Sequence, residues 1–293
     1  MSNIIRKASI HLILILLAAA FLFPILVVFT NSFMSSFEIV NRYTRLVRPG
    51  NEFYALETAT GFIHYVRITL IPAFISIEQY TNLFLGHPRY MVMFWNSVIL
   101  AVPIVLGHLL VSAPAAYAFH FSRLRFKEGL YFIYIILMLV PLQVSLAPNF
   151  IMAGWLGLME SRLAIILPAI FNPFGVFIIR QFSRSLSMDH IEAAQIDGAG
   201  HIRILVSVMA PLFKPAFAAL VILNLVENWN LVEQPIIFLT PAQMPLSLYL
   251  SQMAEHHLDM IFAASFLYLL PPLMVFLFWK EHMVEGLILS GVK

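Results

Sequence analysis

Long apolar runs separated by short polar connections dominate this chain, and their length is the first clue to its architecture. A helix rises about 1.5 Å per residue, so roughly 20 consecutive apolar residues cross the hydrocarbon core of a bilayer. Six such runs occur, at residues 11–33, 93–121, 130–154, 163–179, 211–232 and 260–279. The fourth is short, and the fifth carries Lys214 near one end and Glu227 near the other. Residues 62–75 are also apolar, but His64, Arg67 and Pro72 interrupt them and they are too short to span, so they read as an interfacial or packed outer segment. The pattern predicts an all-α integral membrane protein with six transmembrane helices. It divides into an N-terminal transmembrane helix at 1–34, an extracytoplasmic segment with interfacial helices at 35–90, and a core of five helices at 91–293 whose tail, 281–293, is cytoplasmic.

Prolines fall inside or near several runs, at positions 24, 103, 114, 141, 148, 168, 173, 215, 271 and 272. In lipid the carbonyls they free must be satisfied by neighbouring helices or a cavity, which favours a packed bundle with irregular helices. Any single proline reads equally well as a simple kink. Composition agrees with the pattern: 61% of the 293 residues are hydrophobic and 11% charged, against roughly 25% charged in ordinary soluble domains, and the mean hydropathy is +0.88. The net charge of +2 gives no basis for nucleic-acid binding, and the absence of cysteine excludes disulfides, thiolate metal sites and cysteine catalysis.

Lysine and arginine in short loops favour the cytoplasmic side. Arg6 and Lys7 precede the first run, Arg123, Arg125 and Lys127 follow the second, and Arg180, Arg184 and Arg203 follow the fourth, whereas the connection at 233–259 has neither residue type. Both termini are then cytoplasmic. The segment 35–90 must lie outside although it carries Arg42, Arg45, Arg48, Arg67 and Arg89; long loops are exempt from the rule, and Glu38, Glu52, Glu57 and Glu78 nearly balance it. Ala18, Ala19 and Ala20 resemble a signal-peptide cleavage site, but the apolar run continues through Pro24 to Val28, so an uncleaved first helix is expected.

The cytoplasmic segment 181–210 contains the most specific string in the chain, Glu192-Ala193-Ala194-Gln195-Ile196-Asp197-Gly198-Ala199-Gly200. Asp189 can cap a short helix, Glu192 three residues on completes a capping box, and Gly198 can end it. Ala193, Ala194 and Ala199 leave a thin surface that another protein can approach closely, with Ile191 and Ile196 as apolar anchors. Physics alone leaves two readings open: a docking helix, or a connector packed on the chain's own spans. The string resembles the EAA loop of ABC importer permeases, here at 183–211, with Leu205 at the family's hydrophobic position and Pro211 at its proline. The resemblance extends from about residue 77 to the end and points to the carbohydrate branch, in particular the second permease subunit of maltose-type importers. It rests on Asn96-Ser97, Ala115 to Phe119, Arg123, Pro141, Gly157-Leu158, Pro173-Phe174-Gly175, Phe177, Arg180-Gln181, Trp229-Asn230, Gly286-Leu287 and Gly291-Val292-Lys293. Segment 35–76 has no counterpart in that pattern, and Glu227-Asn228 before Trp229 is unusual for it.

The resemblance implies a type I ABC importer permease fold with a short cytoplasmic coupling helix between spans 4 and 5. Glu192, Ala193, Ala194, Asp197, Gly198, Ala199 and Gly200 would couple to an ATPase, and the tail, with Gly286, Gly291 and Lys293, would reach along the ATPase dimer. No Gly-x-x-x-x-Gly-Lys-Ser/Thr loop occurs, so ATP and Mg are expected on the partner ATPase, with no cofactor on this chain and no enzymatic activity of its own. The implied partners are a second homologous permease, two cytoplasmic ABC ATPase subunits, an extracytoplasmic solute-binding protein and the lipid bilayer, in a bacterial or archaeal inner membrane, and the implied cargo is a sugar or oligosaccharide. Polar groups are rare at membrane depth without cause, so Asn172, Asn224, Glu227, Asn228, Trp229 and Asn230 are the cargo-pathway candidates. The competing readings are an ABC permease for glycerol phosphate, a polyamine or an amino acid, and an ion-coupled secondary transporter; near absence of intramembrane acids argues against the last. Glu255, His256, His257 and Asp259 carry metal-capable groups but lack the i, i+4 histidine spacing of a helical zinc site, so no metal is expected.

Overall fold

A computed structural model describes residues 2–47, 70–121, 125–183 and 189–291. The described residues form helices joined by short connections, with an isolated bridge between Met34 and Ile75. Four helical stretches are long and apolar enough to cross a membrane: Ile5–Asn31, Arg89–Phe121, Leu163–Ser183 and Leu258–Met283. Two bent helix pairs pass the same test only when joined, Lys127–Met138 with Leu142–Trp155 at 99° and His201–Leu212 with Lys214–Trp229 at 79°, which brings the candidate spans to as many as six. The six apolar runs thus reappear, but the third and fifth are not the continuous helices that hydropathy suggested.

The bends have a local cause. Pro141 has no N–H, and it adopts an extended conformation, φ −61° and ψ 145°, just before the helix Leu142–Trp155. Phe213, at φ −96° and ψ 9°, separates the halves of the fifth span, and Pro215 stands in the first turn of the second half, where a missing N–H costs nothing. Pro24, Pro103, Pro114, Pro148, Pro168, Pro271 and Pro272 lie inside continuous helices. The fourth span pauses at Phe171 and Asn172, between helices Leu163–Ile170 and Pro173–Ser183.

The chain forms two compact units. One comprises Met1–Val92 and Leu248–Leu270. Its centre is Gln79, whose amide donates to the carbonyls of Asn31 and Met34, each at 2.7 Å, while its Oε1 accepts from the Ala263 N–H at 3.2 Å. The helix Ser36–Val47 is pinned beside it: Asn31 donates to the Tyr43 hydroxyl at 2.8 Å, and Glu38 accepts from the Ala73 N–H at 3.0 Å while pairing with Arg42. Burial pushes the Tyr43 and Tyr80 phenols above their ordinary range. Of the apolar stretch 62–75, residues 62–69 lie outside the described set, and Ile71, Phe74 and Ile75 are exposed. His257 packs edge-on against His87, with ring centroids 4.6 Å apart.

The other unit comprises Met93–Ser247 and Pro271–Lys293. Asn96 donates to the carbonyls of Ala242 and Met244 at 2.9 and 3.0 Å and accepts from Arg162 at 2.7 Å, while Ser97 Oγ accepts from the Leu246 N–H at 2.8 Å. This adjacent polar pair therefore holds a loop against the start of the second span. The connection at 233–259 contains two further helices, Glu233–Phe238 and Leu246–His256. The last helix, Ile261–Gly291, runs past the sixth apolar run and carries Gly286 and Gly291, whereas Lys293 lies outside the described residues.

Candidate functional site

The string around Glu192 folds as expected into a short helix, Asp189–Ile196. Gly198 has φ +77°, a left-handed conformation natural to glycine, and the hydrogen bonds there define how the helix ends. Its N–H donates to the Gln195 carbonyl at 3.0 Å, and the Ala199 N–H reaches back to the Ala194 carbonyl at 2.9 Å. That pair is a Schellman motif, which satisfies carbonyls that a helix end leaves open.

Ile191 is only 4% exposed and joins an apolar cluster with Tyr117, Tyr131, Val176, Ile179 and Ile204. The expected second anchor, Ile196, points away and is 86% exposed. Glu192, Ala193, Asp197, Gly198 and Gly200 are exposed, and Ala194 and Ala199 are half-buried. The helix thus clips to its own spans through Ile191, with Ala194 and Ala199 packed beside it, and presents Glu192, Ala193, Ile196 and Asp197 outward. A groove of about 410 Å³ runs beside it, lined by Ala193, Ala194 and Asp197 on one side and by Ser207, Val208, Pro211 and Leu212 on the other. Leu205, in the helical stretch that leads to Pro211, is half-buried against the same cluster.

Two polar contacts tie the neighbourhood of this helix to the spans. The Tyr117 hydroxyl lies 2.9 Å from His201 Nδ1, joining the end of the second span to the residue that follows Gly200. Arg180 is 3% exposed at the end of the fourth span, with its guanidinium 3.6 Å from the centre of the Tyr131 ring and Nη2 2.6 Å from Glu128. A buried guanidinium is stabilised there by an aromatic face and by a carboxylate that reaches solvent. Arg123 and Arg184 lie outside the described residues.

At membrane depth the structure sorts the six cargo-pathway candidates into two groups. Asn172, Asn224 and Asn228 come together around His108, a residue that the sequence reading passed over. Asn172 sits at the pause in the fourth span, where its Oδ1 accepts from the Phe174 N–H at 2.9 Å and its carbonyl oxygen lies 2.8 Å from His108 Nε2. Asn224 is 3% exposed and meets His108 Nδ1 through Nδ2, and Asn228 donates to the Asn224 carbonyl at 2.8 Å and to its Oδ1. Glu227, Trp229 and Asn230 stand apart from that cluster. Glu227 is exposed, Trp229 is buried with its ring 5.8 Å from Phe94, and Asn230 donates to the Val226 carbonyl at 2.7 Å. The signal for His108 was present: a histidine in the middle of an otherwise apolar span asks for a partner.

A glycine makes the cluster possible. A Cβ at Gly175 would lie 2.3 Å from Ser112 Oγ and 2.5 Å from His108 Nε2, so only a residue without a side chain lets the helix Pro173–Ser183 approach the second span here. Among the described residues no group of three metal-capable side chains occurs.

Comparison with known proteins gives a consistent answer. Residues 10–287 match the family described as binding-protein-dependent transport system inner membrane component. The chain is 30% identical over 294 residues to the arabinooligosaccharides transport system permease protein AraQ of Bacillus subtilis (strain 168), covering 99% of this chain and 96% of that one. It is 26% identical over 290 residues to the sn-glycerol-3-phosphate transport system permease protein UgpE of Brucella suis biovar 1, covering 95% and 94%. The crystal structure of a bacterial ABC transporter involved in the import of the acidic polysaccharide alginate contains a chain with the same fold, at a TM-score of 0.74 and 22% identity, covering 96% of this chain and 97% of that one. With a helical bundle of apolar spans, an exposed helix ended by Gly198 and a match along nearly its whole length, the chain belongs to the family of binding-protein-dependent transport system inner membrane components.

Proposed function

We propose that this chain is the permease subunit of an ATP-driven importer that carries sugars or oligosaccharides across a bacterial or archaeal inner membrane by alternating access. A second permease would pair with it, two cytoplasmic ATPase subunits would bind ATP and Mg, and an external binding protein would deliver the cargo. Both termini would be cytoplasmic. The observation that carries the reading is the helix Asp189–Ile196, which buries Ile191 in its own bundle yet exposes Glu192, Ala193 and Asp197 beside a groove. A helix anchored on one face, bare on the other and shaped by a glycine turn suits insertion into a cleft of an ATPase, so that closure of the ATPase pair pulls on the spans. Glu192 would supply charge, Asp197 to Gly200 the turn, and Gly286, Gly291 and Lys293 a second contact along the tail.

The sugar class rests on the chemistry at membrane depth. The groups gathered there are carboxamides and an imidazole, which match hydroxyls by donating and accepting hydrogen bonds. Glycerol phosphate, the cargo in the name of one relative, is the second reading. A phosphate calls for a cation, whereas the cluster is built from His108, Asn172, Asn224 and Asn228, none of them a lysine or arginine.

The test uses the assembled transporter in proteoliposomes. Glu192→Lys and Gly198→Pro should abolish uptake and release the ATPase during purification while the chain stays in the membrane. Normal uptake with the ATPase retained in both variants would refute the coupling role.

A further inference from the structure

The polar groups around His108 form a chain in which each link dictates the next. His108 is 2% exposed, and its Nε2 lies 2.8 Å from the Asn172 carbonyl oxygen. A carbonyl can only accept, so the proton sits on Nε2 and Nδ1 keeps its lone pair. The Gly175 N–H also points at Nε2, from 3.2 Å, and a single nitrogen cannot donate to one group and accept from the other; the shorter contact decides the tautomer. With Nδ1 an acceptor, Asn224 must turn its NH₂ toward it, as observed. Its Oδ1 is thereby turned to Asn228, which donates from Nδ2 to that oxygen and to the Asn224 carbonyl. Both protons of the Asn228 amide are then engaged. What this half-buried residue has left to offer is Oδ1, an acceptor.

We infer that His108 is a specificity-determining positioning residue: acting through Asn224, it holds Asn228 with its carboxamide oxygen free, so that passing cargo meets a hydrogen-bond acceptor and hydroxyl donors are selected. The inference rests on the saccharide reading above and adds a direction to it. A free asparagine can flip and serve donor or acceptor alike, whereas one whose NH₂ is bound on both sides cannot. A cargo group that only accepts, such as fluorine in place of a hydroxyl, then faces oxygen with no proton between them.

Two measurements test this in the complete transporter, the assembly of this chain with its partner permease, ATPases and binding protein. The first is ¹⁵N-histidine solid-state NMR of the complex, with the His108 signals identified by their loss in His108→Gln. A neutral ring protonated at Nε2 is expected; a ring protonated at Nδ1, or an imidazolium, overturns the proposal whatever the cargo. The second is uptake of an arabino-oligosaccharide and its monodeoxyfluoro analogues, each normalised to its affinity for the isolated binding protein. Wild type should disfavour at least one analogue by roughly fivefold to tenfold, the worth of one neutral hydrogen bond. His108→Leu should bring that ratio close to one, and His108→Gln, whose amide can still donate to Asn172 and accept from Asn224, should restore it. Should His108→Leu fail to assemble, Asn224→Ala removes the Oδ1 that engages the second Asn228 proton, leaves only the backbone carbonyl to hold that amide, and should lower the ratio too. Discrimination that is absent in wild type, or unchanged in the leucine and alanine variants, overturns the proposal. A wild-type transporter that carries no saccharide overturns the saccharide reading, and the selection with it, while the NMR tautomer still stands, so the two failures are told apart.

Discussion

The helix Asp189–Ile196 and the His108 cluster are built on opposite plans. The first is mostly exposed, is made from consecutive residues, and depends on backbone shape: a left-handed Gly198, two reverse hydrogen bonds and one buried isoleucine. The second is buried, draws His108, Asn172 and Asn224 from three different spans, and depends on the order of donors and acceptors. A surface proposed to dock another chain needs a contour, which a short contiguous string can encode. A cluster at membrane depth needs every polar atom answered, which only residues far apart in sequence can provide.

If the contrast is right, the largest loss should come from forcing bulk into the cluster. Gly175→Val puts carbon where Ser112 Oγ and His108 Nε2 now lie, and overpacking of this kind costs about 1–3 kcal/mol before the lost hydrogen bonds are counted. The melting temperature of the purified complex should fall by several degrees, and uptake should fall with it. A valine variant as stable as wild type would mean that the spans are not closely packed there. Gly198→Ala probes the other plan. A side chain in the left-handed region costs about 1–2 kcal/mol, but the position is exposed with nothing near it. No clash adds to that strain, so the melting temperature should fall by less than in Gly175→Val, while uptake per ATP hydrolysed drops about tenfold.

The same contrast explains what the sequence disclosed. The spans were legible because about 20 apolar residues in a row have few other uses, and the end of the exposed helix was legible because Gly198 follows a run of helix formers. Bend angles were not legible. Pro141 and Pro215 mark where a helix is interrupted, but their positions do not give the 99° and 79° between the halves. Asn172, Asn224 and Asn228 stood out as polar residues in apolar surroundings, yet nothing in their spacing says that His108 joins them, because that contact crosses between spans. Ile196 misled for a different reason: it is apolar like Ile191, but five residues along a helix put it roughly 140° away, so the two do not share a face and one is buried while the other is bare.

Between these extremes lies Arg180, buried like the cluster but placed at the base of the segment that leads to the exposed helix. Arg180→Met keeps much of the apolar contact with Tyr131 and removes the charge. Glu128 is largely solvent-exposed, so its loss of a partner is softened by water, and the expected cost is about 1–2 kcal/mol, most of it from the lost cation–π contact. Glu128→Gln instead leaves the buried guanidinium without its carboxylate and should destabilise more than the methionine variant does. Thermal melts of the two variants in one detergent decide between them, and the reverse order would mean that the guanidinium is solvated in the assembled complex.

The smallest effect should come from the Tyr117–His201 contact. Tyr117→Phe removes one hydroxyl, leaves the ring against Phe121 and His201, and forfeits a hydrogen bond worth about 1 kcal/mol. Because His201 is exposed, water can take the place of the lost hydroxyl, and the melting temperature should move by no more than a degree or two. The bond nonetheless bridges the end of a span and the first residue beyond Gly200, so any slack introduced there falls on the path between the exposed helix and the bundle. ATP hydrolysis by the complete transporter should stay near the wild-type rate while uptake per ATP falls two- to fivefold. An unchanged ratio would place the mechanical link elsewhere, leaving Ile191 and its apolar neighbours to carry the motion alone.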